Sequence, residues 1–270
     1  MSYEDLIDAI RQRRAILFVG AGVSKNVGVP TTGEMVTEIA RQLGEDPAIF
    51  RTYGDHRSLA EYYKLKKGNL GPLRSWMDVT WHRPEVDVRS SQIHRLIVDL
   101  EFPIIYTTNY DRWLEKAFDE FGKEYTKIIN VGDLLKAREG VTQIVKFHGD
   151  FDDDNSIVLT ESSFFERLDF ESALDIKLQS DALGRPLLFI GYSLSDINIR
   201  YLLYKLQRLW ERSLLRSLRP RSFIFLSGSN PVQQRLLRAR GIEPIESECE
   251  SPGEGLARFL SQLAEGVKAR

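Results

Sequence analysis

Five short apolar runs, each ending at small or polar residues, constrain the fold of this chain more than any other feature. Helical patterns separate the runs, and the apolar residues within each run are nearly continuous. A strand that is apolar on both sides is typical of a parallel sheet covered by helices on both faces. The pattern therefore predicts a doubly wound α/β fold. The predicted strands are 15–19, 103–108, 143–147, 186–191 and 222–227.

Helices are predicted between these strands, with one interruption. Segment 195–216 has the clearest helical spacing of apolar residues, and it begins at Ser195, a favourable N-cap residue. The stretch 45–100 is rich in aromatic residues and has no clear strand, so it predicts a helical insertion packed over one edge of the sheet. We expect a single domain over 1–270. Further helices are predicted within 1–14 and at 32–43, 111–121, 231–239 and 253–266.

The composition of the chain excludes several classes of protein. Its 270 residues are 42% hydrophobic and 28% charged, which is typical of a soluble globular protein. The net charge of −2 gives no general electrostatic argument for binding nucleic acid or an acidic membrane. The single cysteine, Cys249, excludes an intramolecular disulfide and a cysteine-rich zinc site. No apolar run approaches the roughly 20 residues of a membrane span, and the amphipathic start is unlike a signal peptide. We therefore expect a cytoplasmic protein.

The first predicted strand ends in a glycine-rich turn, in the sequence LFVGAGVSKNVGVP at 17–30. A strand that leads into such a turn and then a helix presents backbone N–H groups to an anion, and glycine allows a diphosphate to approach closely. The usual G-x-G-x-x-G fingerprint lacks its last glycine, because Lys25 stands there. The turn alone leaves two interpretations open, a phosphate-binding loop and a purely structural tight turn.

Three more predicted strands end in polar groups. Ligands of open parallel sheets bind beyond the carboxyl ends of the strands. A single histidine at a strand end is usually structural, but four strand ends with polar groups together predict one ligand site at this rim. The three further runs are YTTNYD at 106–111, KFHGD at 146–150 and IGYSLSD at 190–196.

In order and spacing, these motifs resemble those of the Sir2 (sirtuin) family over 15–230. The resemblance implies a Rossmann-like fold that binds NAD, with the glycosidic bond to nicotinamide as the reactive centre. It rests on four runs taken together: Gly20-Ala21-Gly22-x-Ser24, Thr107-Thr108-Asn109-Tyr110-Asp111, His148-Gly149 and Gly191-Tyr192-Ser193.

The resemblance implies catalytic roles for two residues. Asn109 is expected at the nicotinamide end of the site, and His148 is expected to be the catalytic histidine. An asparagine orients water and ribose hydroxyls, and a histidine near neutral pKa serves as a general base. For Asp111 two roles remain open: it fixes Asn109 or favours positive charge nearby, or it caps helix 111–121.

The resemblance also implies which residues hold the cofactor. Ala21 and Gly22 are expected to face the diphosphate, and Gly191 with Ser193 the adenosine side. Asn198 and the run at 227–230 are further candidates for ribose contacts by position only. The expected cofactor-binding residues are Gly20, Ala21, Gly22, Ser24, Thr108, Asp111, Gly191, Ser193 and Asp196.

Two departures from the family pattern bear on function. Deacetylating sirtuins carry two Cys-x-x-Cys pairs after the His-Gly motif, whereas 150–170 contains no cysteine, so no metal is expected. Their Pro-x-Phe-Arg motif is replaced by Pro30-Thr31-Thr32-Gly33. Since the zinc module helps form the acyl-lysine groove, its loss argues against deacetylation. The chain looks closer to the zinc-less bacterial branch associated with antiphage defence, whose members degrade NAD.

The leading hypothesis is an NAD⁺ glycohydrolase that releases nicotinamide and ADP-ribose, linear or cyclic. Such a toxic effector is expected to be held inactive until a partner or self-association activates it. A homo-oligomer and a HerA-like helicase or an Argonaute-like protein are the expected partners. The alternatives are an NAD-dependent deacylase or ADP-ribosyltransferase, and a non-enzymatic nucleotide-sensing subunit of a nuclease or helicase complex.

Two charged features lie outside these motifs. The acidic triplet at 152–154 is interpreted as a solvated turn rather than a metal site. The arginines at 208, 212, 216, 219 and 221 are interpreted as a solvated helical face, with a nucleic-acid or protein partner surface left open.

Overall fold

The computed structural model describes residues 3–169, 171–192, 197–228, 231–247 and 249–269. Within them, seven strands form one sheet in the order β3-β4-β2-β1-β5-β6-β7, and every neighbouring pair is parallel. The predicted doubly wound, Rossmann-like sheet is confirmed. The strands are β1 Ile16–Val19, β2 Ile104–Thr107, β3 Tyr125–Ile128, β4 Thr142–Lys146, β5 Leu187–Ile190, β6 Ser222–Leu226 and β7 Ile242–Glu246.

Helices cover both faces of the sheet. Successive residues of each strand point to opposite faces, so each strand contributes to a hydrophobic core on either side. Leu17 and Val19 of β1 belong to one hydrophobic core, whereas Ile16 and Phe18 belong to the other. The helices are α1 Glu4–Arg11, α2 Ala21–Lys25, α3 Thr32–Leu43, α4 Pro47–Phe50, α5 His56–Lys67, α6 Gly71–Trp81, α7 Gln92–Asp99, α8 Trp113–Glu120, α9 Glu161–Glu166, α10 Ala173–Gly184, α11 Ile197–Glu211, α12 Pro231–Ala239 and α13 Pro252–Lys268.

The predicted insertion at 45–100 is helical, as expected. Its buried residues, such as Leu59 and Tyr63, belong to the same hydrophobic core as Leu17 of β1 and Ile105 of β2. Helix α5 packs on α3 and α9, and α6 packs on α3. Packing of the insertion over one edge of the sheet stays a prediction.

Two predicted helices are shorter than expected. The helix predicted at 111–121 is Trp113–Glu120, and the one predicted at 195–216 is Ile197–Glu211. The expected N-cap of the second of these helices, Ser195, lies outside the described residues. Two edge strands, β3 and β7, and helices α9 and α10 were not predicted at all. Among the described residues, no helix is both long enough and apolar enough to span a membrane.

The strand order reverses direction between β1 and β5, and this reversal locates the candidate site. From β1 the chain continues to β2 on one side, and only later does it add β5 on the other side. The carboxyl ends of β1 and β5 therefore lie at the topological switch point of the sheet. In open α/β sheets this switch point is where ligands bind.

Candidate functional site

The four strand ends with polar motifs are neighbours in the sheet. They belong to β4, β2, β1 and β5, which lie side by side in that order. Thr107, the last residue of β2, is paired with Lys146, the last residue of β4. Asn109 lies two residues after Thr107, and His148 lies two residues after Lys146. Both residues therefore follow their strands at the same rim and at the same level. The register thus brings the two predicted catalytic residues to adjacent positions of one rim.

The turns after β1 and β5 are in direct backbone contact. The Gly22 N–H donates a hydrogen bond to the Gly191 carbonyl at 2.8 Å, and the Gly20 N–H donates to the Ile190 carbonyl at 3.0 Å. A Cβ atom on Gly20 would lie 2.4 Å from the Gly191 carbonyl oxygen. Gly191 itself has φ +59°, in the left-handed region that favours glycine. These glycines are therefore required by the close approach of two turns at the switch point.

This contact determines which backbone N–H groups of the turn after β1 remain to bind a diphosphate. The N–H groups of Gly20 and Gly22 donate within the protein, whereas Ala21 donates no hydrogen bond to the described residues. The Ala21 amide is thus the donor that this turn leaves for an anion. Its neighbour Ser24, one turn of α2 further on, is buried and faces the next strand end.

Ser24 and Asn109 join the turns after β1 and β2. The Asn109 side-chain amide donates to the Ser24 hydroxyl at 3.0 Å, and both residues are buried. The Asn109 backbone N–H donates to the Thr107 hydroxyl at 3.0 Å, which in turn donates to the Val19 carbonyl at 2.9 Å. This chain of hydrogen bonds fixes the Asn109 side chain relative to β1. Its amide is consequently preorganised rather than free to rotate.

The carboxylate of Asp111 contacts the start of α8. One carboxylate oxygen accepts a hydrogen bond from the Trp113 N–H at 3.2 Å, at the start of α8. Among the described residues, its carboxylate has no hydrogen bond to Asn109. The contact satisfies an N-terminal amide of the helix, which supports the capping role, although the N-cap position itself is held by Arg112. The neighbouring Thr108 is half-buried at the same rim.

His148 is held in an aromatic environment at the end of β4. It is 3% exposed, its ring lies edge-on to Phe164 with centroids 5.1 Å apart, and the Phe147 ring lies at 5.7 Å. Its carbonyl accepts from the Val158 N–H at 2.9 Å. Gly149 follows with φ +94°, and a Cβ there would meet the Ser156 carbonyl oxygen at 2.3 Å. The imidazole thus lies against two aromatic rings, and the turn that follows it requires a glycine.

A buried cluster of charges, which the sequence patterns did not predict, lies beside the turns of Asn109 and His148. Lys146 is fully buried, with its ammonium 3.2 Å from a Glu115 carboxylate oxygen and 3.1 Å from an Asp150 carboxylate oxygen. It also donates to the Asp111 carbonyl. Burial lowers the pKa of Lys146, but the carboxylates of Glu115, Asp150 and Asp111 together raise it above its ordinary value, so the ammonium stays charged. Burial raises the pKa of Glu115. The sequence signal that could have indicated this cluster is a lysine within the apolar run at 143–147.

Some predicted residues lie outside the described residues or in other roles. Ser193, Asp196 and, in the run at 227–230, Ser229 and Asn230 are not described. Asn198 is described and is fully buried in α11.

The acidic triplet is not simply a solvated turn, because ion pairs hold two of its members. Asp152 pairs with Arg112 and Lys127, and Asp154 pairs with Arg74 at 2.6 Å. Within the described ranges, no group of three or more histidine, cysteine, aspartate or glutamate side chains is arranged to hold a metal ion.

Comparisons with known proteins agree with this architecture. A family model described as a SIR2-like domain matches residues 103–245. The NAD(+) hydrolase ThsA of Enterococcus faecium is 31% identical over 199 residues, which cover 73% of this chain and 40% of that protein. The Defense-associated sirtuin 2 of Bacillus subtilis is 24% identical over 241 residues, which cover 87% of this chain and 23% of that protein. The chain thus spans less than half the length of these curated relatives.

A solved structure supports the fold independently of sequence. A mutant Sir2 homologue in complex with ADP-ribose superposes on this chain with a TM-score of 0.55 and 12% identity. The superposition covers 100% of this chain and 97% of the other. At this identity the likeness concerns the arrangement of strands and helices, and it agrees with the parallel sheet described above.

Proposed function

This chain belongs to the SIR2-like domain family, and we propose that its strand-end site hydrolyses NAD⁺ to nicotinamide and ADP-ribose. The observation that carries the proposal is the hydrogen bond between Ser24 and Asn109 next to the switch point, on the strand adjacent to the one whose following turn contains His148. The relative named NAD(+) hydrolase, 31% identical over most of this chain, supports the same activity.

The reaction does not require a general acid from the protein. Nicotinamide leaves NAD⁺ as a neutral molecule from a cationic pyridinium, so the leaving group needs no proton. The site must stabilise an oxocarbenium-like ribose and orient a water molecule away from bulk solvent. The buried strand-end residues at this rim provide such surroundings.

Each residue at the rim has a separate proposed role in binding or hydrolysing NAD⁺. The turn at Gly20–Gly22 offers the Ala21 N–H to the diphosphate, and Gly191 lies against this turn on the adenosine side. Because Ser24 accepts from the Asn109 amide nitrogen, the Asn109 carbonyl oxygen is directed to accept from water or a ribose hydroxyl. His148 removes the proton from that water or hydroxyl as general base. We include Thr108, Ser193 and Asp196 among the cofactor contacts.

The biological setting is part of the proposal. We propose a cytoplasmic effector of antiphage defence, kept inactive until a partner or self-association activates it. The relative named Defense-associated sirtuin 2 supports the defence role. Homo-oligomerisation and a HerA-like helicase or an Argonaute-like partner complete this hypothesis.

A direct assay tests the activity. Purified protein, over a range of protein concentrations, is incubated with NAD⁺, and the products are separated by chromatography. We expect equimolar nicotinamide and ADP-ribose from the wild type and none from Asn109→Ala. Calorimetry with NAD⁺ and ADP-ribose accompanies the assay. Absence of both turnover and binding at every concentration would contradict the proposal.

A further inference from the structure

Lys146 is a fully buried lysine at the centre of a charged cluster below the candidate site. Its side chain has no exposed surface, and neither does that of Asp150, whose carboxylate lies 3.1 Å away. Glu115, 6% exposed, lies 3.2 Å from the same ammonium. The third contact is the backbone carbonyl of Asp111, which accepts a hydrogen bond from the ammonium. One side chain therefore touches three separate segments of the chain.

Two of these segments carry the proposed catalytic residues. Asp111 lies two residues after Asn109, and Asp150 lies two residues after His148. Lys146 itself lies two residues before His148 and is paired with Thr107 of β2. The ammonium thus connects the turn of Asn109 to the turn of His148 on the inner side of the rim. The contact is possible only because β2 and β4 are neighbours in the sheet.

Stability alone does not account for a lysine at this position. Removing an ammonium from water costs several kcal/mol, and well-packed apolar residues in place of a buried ion pair are often as stable or more stable. The two residues that precede Lys146 in β4, Ile144 and Val145, are apolar and fully buried. An apolar residue would fit the pattern of β4, yet it would have no donor for the Asp111 carbonyl.

We propose that Lys146 is a positioning residue, which holds the turn of Asn109 and the turn of His148 in the mutual arrangement that hydrolysis requires. This inference rests on the proposed NAD⁺ hydrolysis. Glu115 and Asp150 balance the charge of the ammonium, and the bond to the Asp111 carbonyl sets the distance between the turns.

The first variant is Lys146→Met, which keeps the length of the side chain and removes the ammonium. We expect kcat for NAD⁺ to fall by about 10- to 100-fold, since misplacement of catalytic groups by an ångström has effects of this size. KM should change by less than about threefold, because β2 separates β4, which contains Lys146, from β1 and its diphosphate turn. Lys123→Met, which removes an exposed lysine paired with Glu101, is the matched control and should leave kcat unchanged.

A double variant separates positioning from stability. Lys146→Met removes the ion-pair partner of the buried Glu115 carboxylate, so the melting temperature of the variant should fall. Glu115→Gln in the same chain removes the charge of that carboxylate, while Lys127 still pairs with Asp150 at 3.3 Å. We expect the Glu115→Gln/Lys146→Met protein to recover its melting temperature but not its kcat. Recovery of both would overturn the proposal, because the lysine would then only balance charge.

Nuclear magnetic resonance of the imidazoles tests the positioning without any turnover. The chain has four histidines, so isotope-labelled histidine gives few signals, and His148→Ala assigns the relevant one. In the double variant the His148 signals should shift, whereas those of His56 should not. Unchanged His148 signals would overturn the inference even if kcat had fallen. A wild-type protein that fails to hydrolyse NAD⁺ would contradict the proposed function, and the His148 signals would still decide the role of Lys146.

Discussion

The side-chain amide of Asn109 donates a hydrogen bond to the hydroxyl of Ser24 at 3.0 Å, across 85 positions of the chain. Both groups are buried at the rim where the turns after β1 and β2 meet, next to the switch point between β1 and β5. The bond uses the donor end of the amide and directs its acceptor end away from Ser24. It therefore orients the residue that we propose to act on water or the ribose.

Replacing either proposed catalytic residue should abolish most of the turnover. A positioned general base contributes about 10²–10⁴-fold in rate, so His148→Ala should lower kcat by this factor and Asn109→Ala should give a comparable loss. The double variant should be scarcely slower than the slower single variant, because residues that act as a unit are not additive. Exposed Asn155→Ala is the control. NAD⁺ hydrolysis within a few-fold of wild type in His148→Ala would refute the assignment.

Ser24→Ala should weaken catalysis by a smaller factor. It removes the acceptor for the Asn109 amide, and a hydrogen bond of about 1 kcal/mol corresponds to roughly fivefold in rate. We expect kcat to fall by about 3- to 10-fold with KM nearly unchanged, measured by steady-state kinetics. Ser180→Ala, on the exposed side of α10, supplies the matched control. An increase in KM alone would show that Ser24 binds the substrate rather than orienting Asn109.

Gly20→Ala should destabilise the fold through the contact between the turns after β1 and β5. Its Cβ would lie 2.4 Å from the Gly191 carbonyl oxygen and 2.5 Å from the Tyr192 ring, which is closer than real atoms approach. Overpacking of this kind costs about 1–3 kcal/mol of unfolding free energy, measurable by urea denaturation. Gly184→Ala meets no atom within 4 Å and should cause no such loss. Equal stability of both variants would mean that the turns do not pack as described.

His94 should make stability depend on pH between about pH 6.5 and 4. It is fully buried in α7, and burial lowers its pKa to about 4 from an unfolded value near 6.5. In this window the unfolded chain binds a proton that the folded chain does not, so stability is lost as pH falls, by up to about 1.4 kcal/mol per pH unit. Urea unfolding at several pH values should show a shallower slope for His94→Gln. Identical slopes would indicate that His94 is protonated in the folded state.

The sequence by itself was sufficient for the central sheet and for most of the candidate site. Central strands are covered on both faces, so their sequences are continuous apolar runs, and β1, β2, β4, β5 and β6 were recognised for this reason. The edge strand β3 is alternately buried and half-exposed, and β7 contains Pro244, which only an edge strand accommodates readily. Neither resembles a buried run, so both were missed.

Tertiary structure alone decided which polar groups meet at the rim. Ser24 and Asn109 are neighbours because β1 pairs with β2, and Lys146 reaches Asp111 because β2 pairs with β4. A local sequence pattern records the environment of each residue but not the order in which strands pair. The sequence contained only the lysine of the charged cluster as a signal, since its partners Glu115 and Asp150 are identified only once the sheet has brought α8 and the turn after β4 together. Long-range pairing, unlike burial, leaves no periodicity in one sequence.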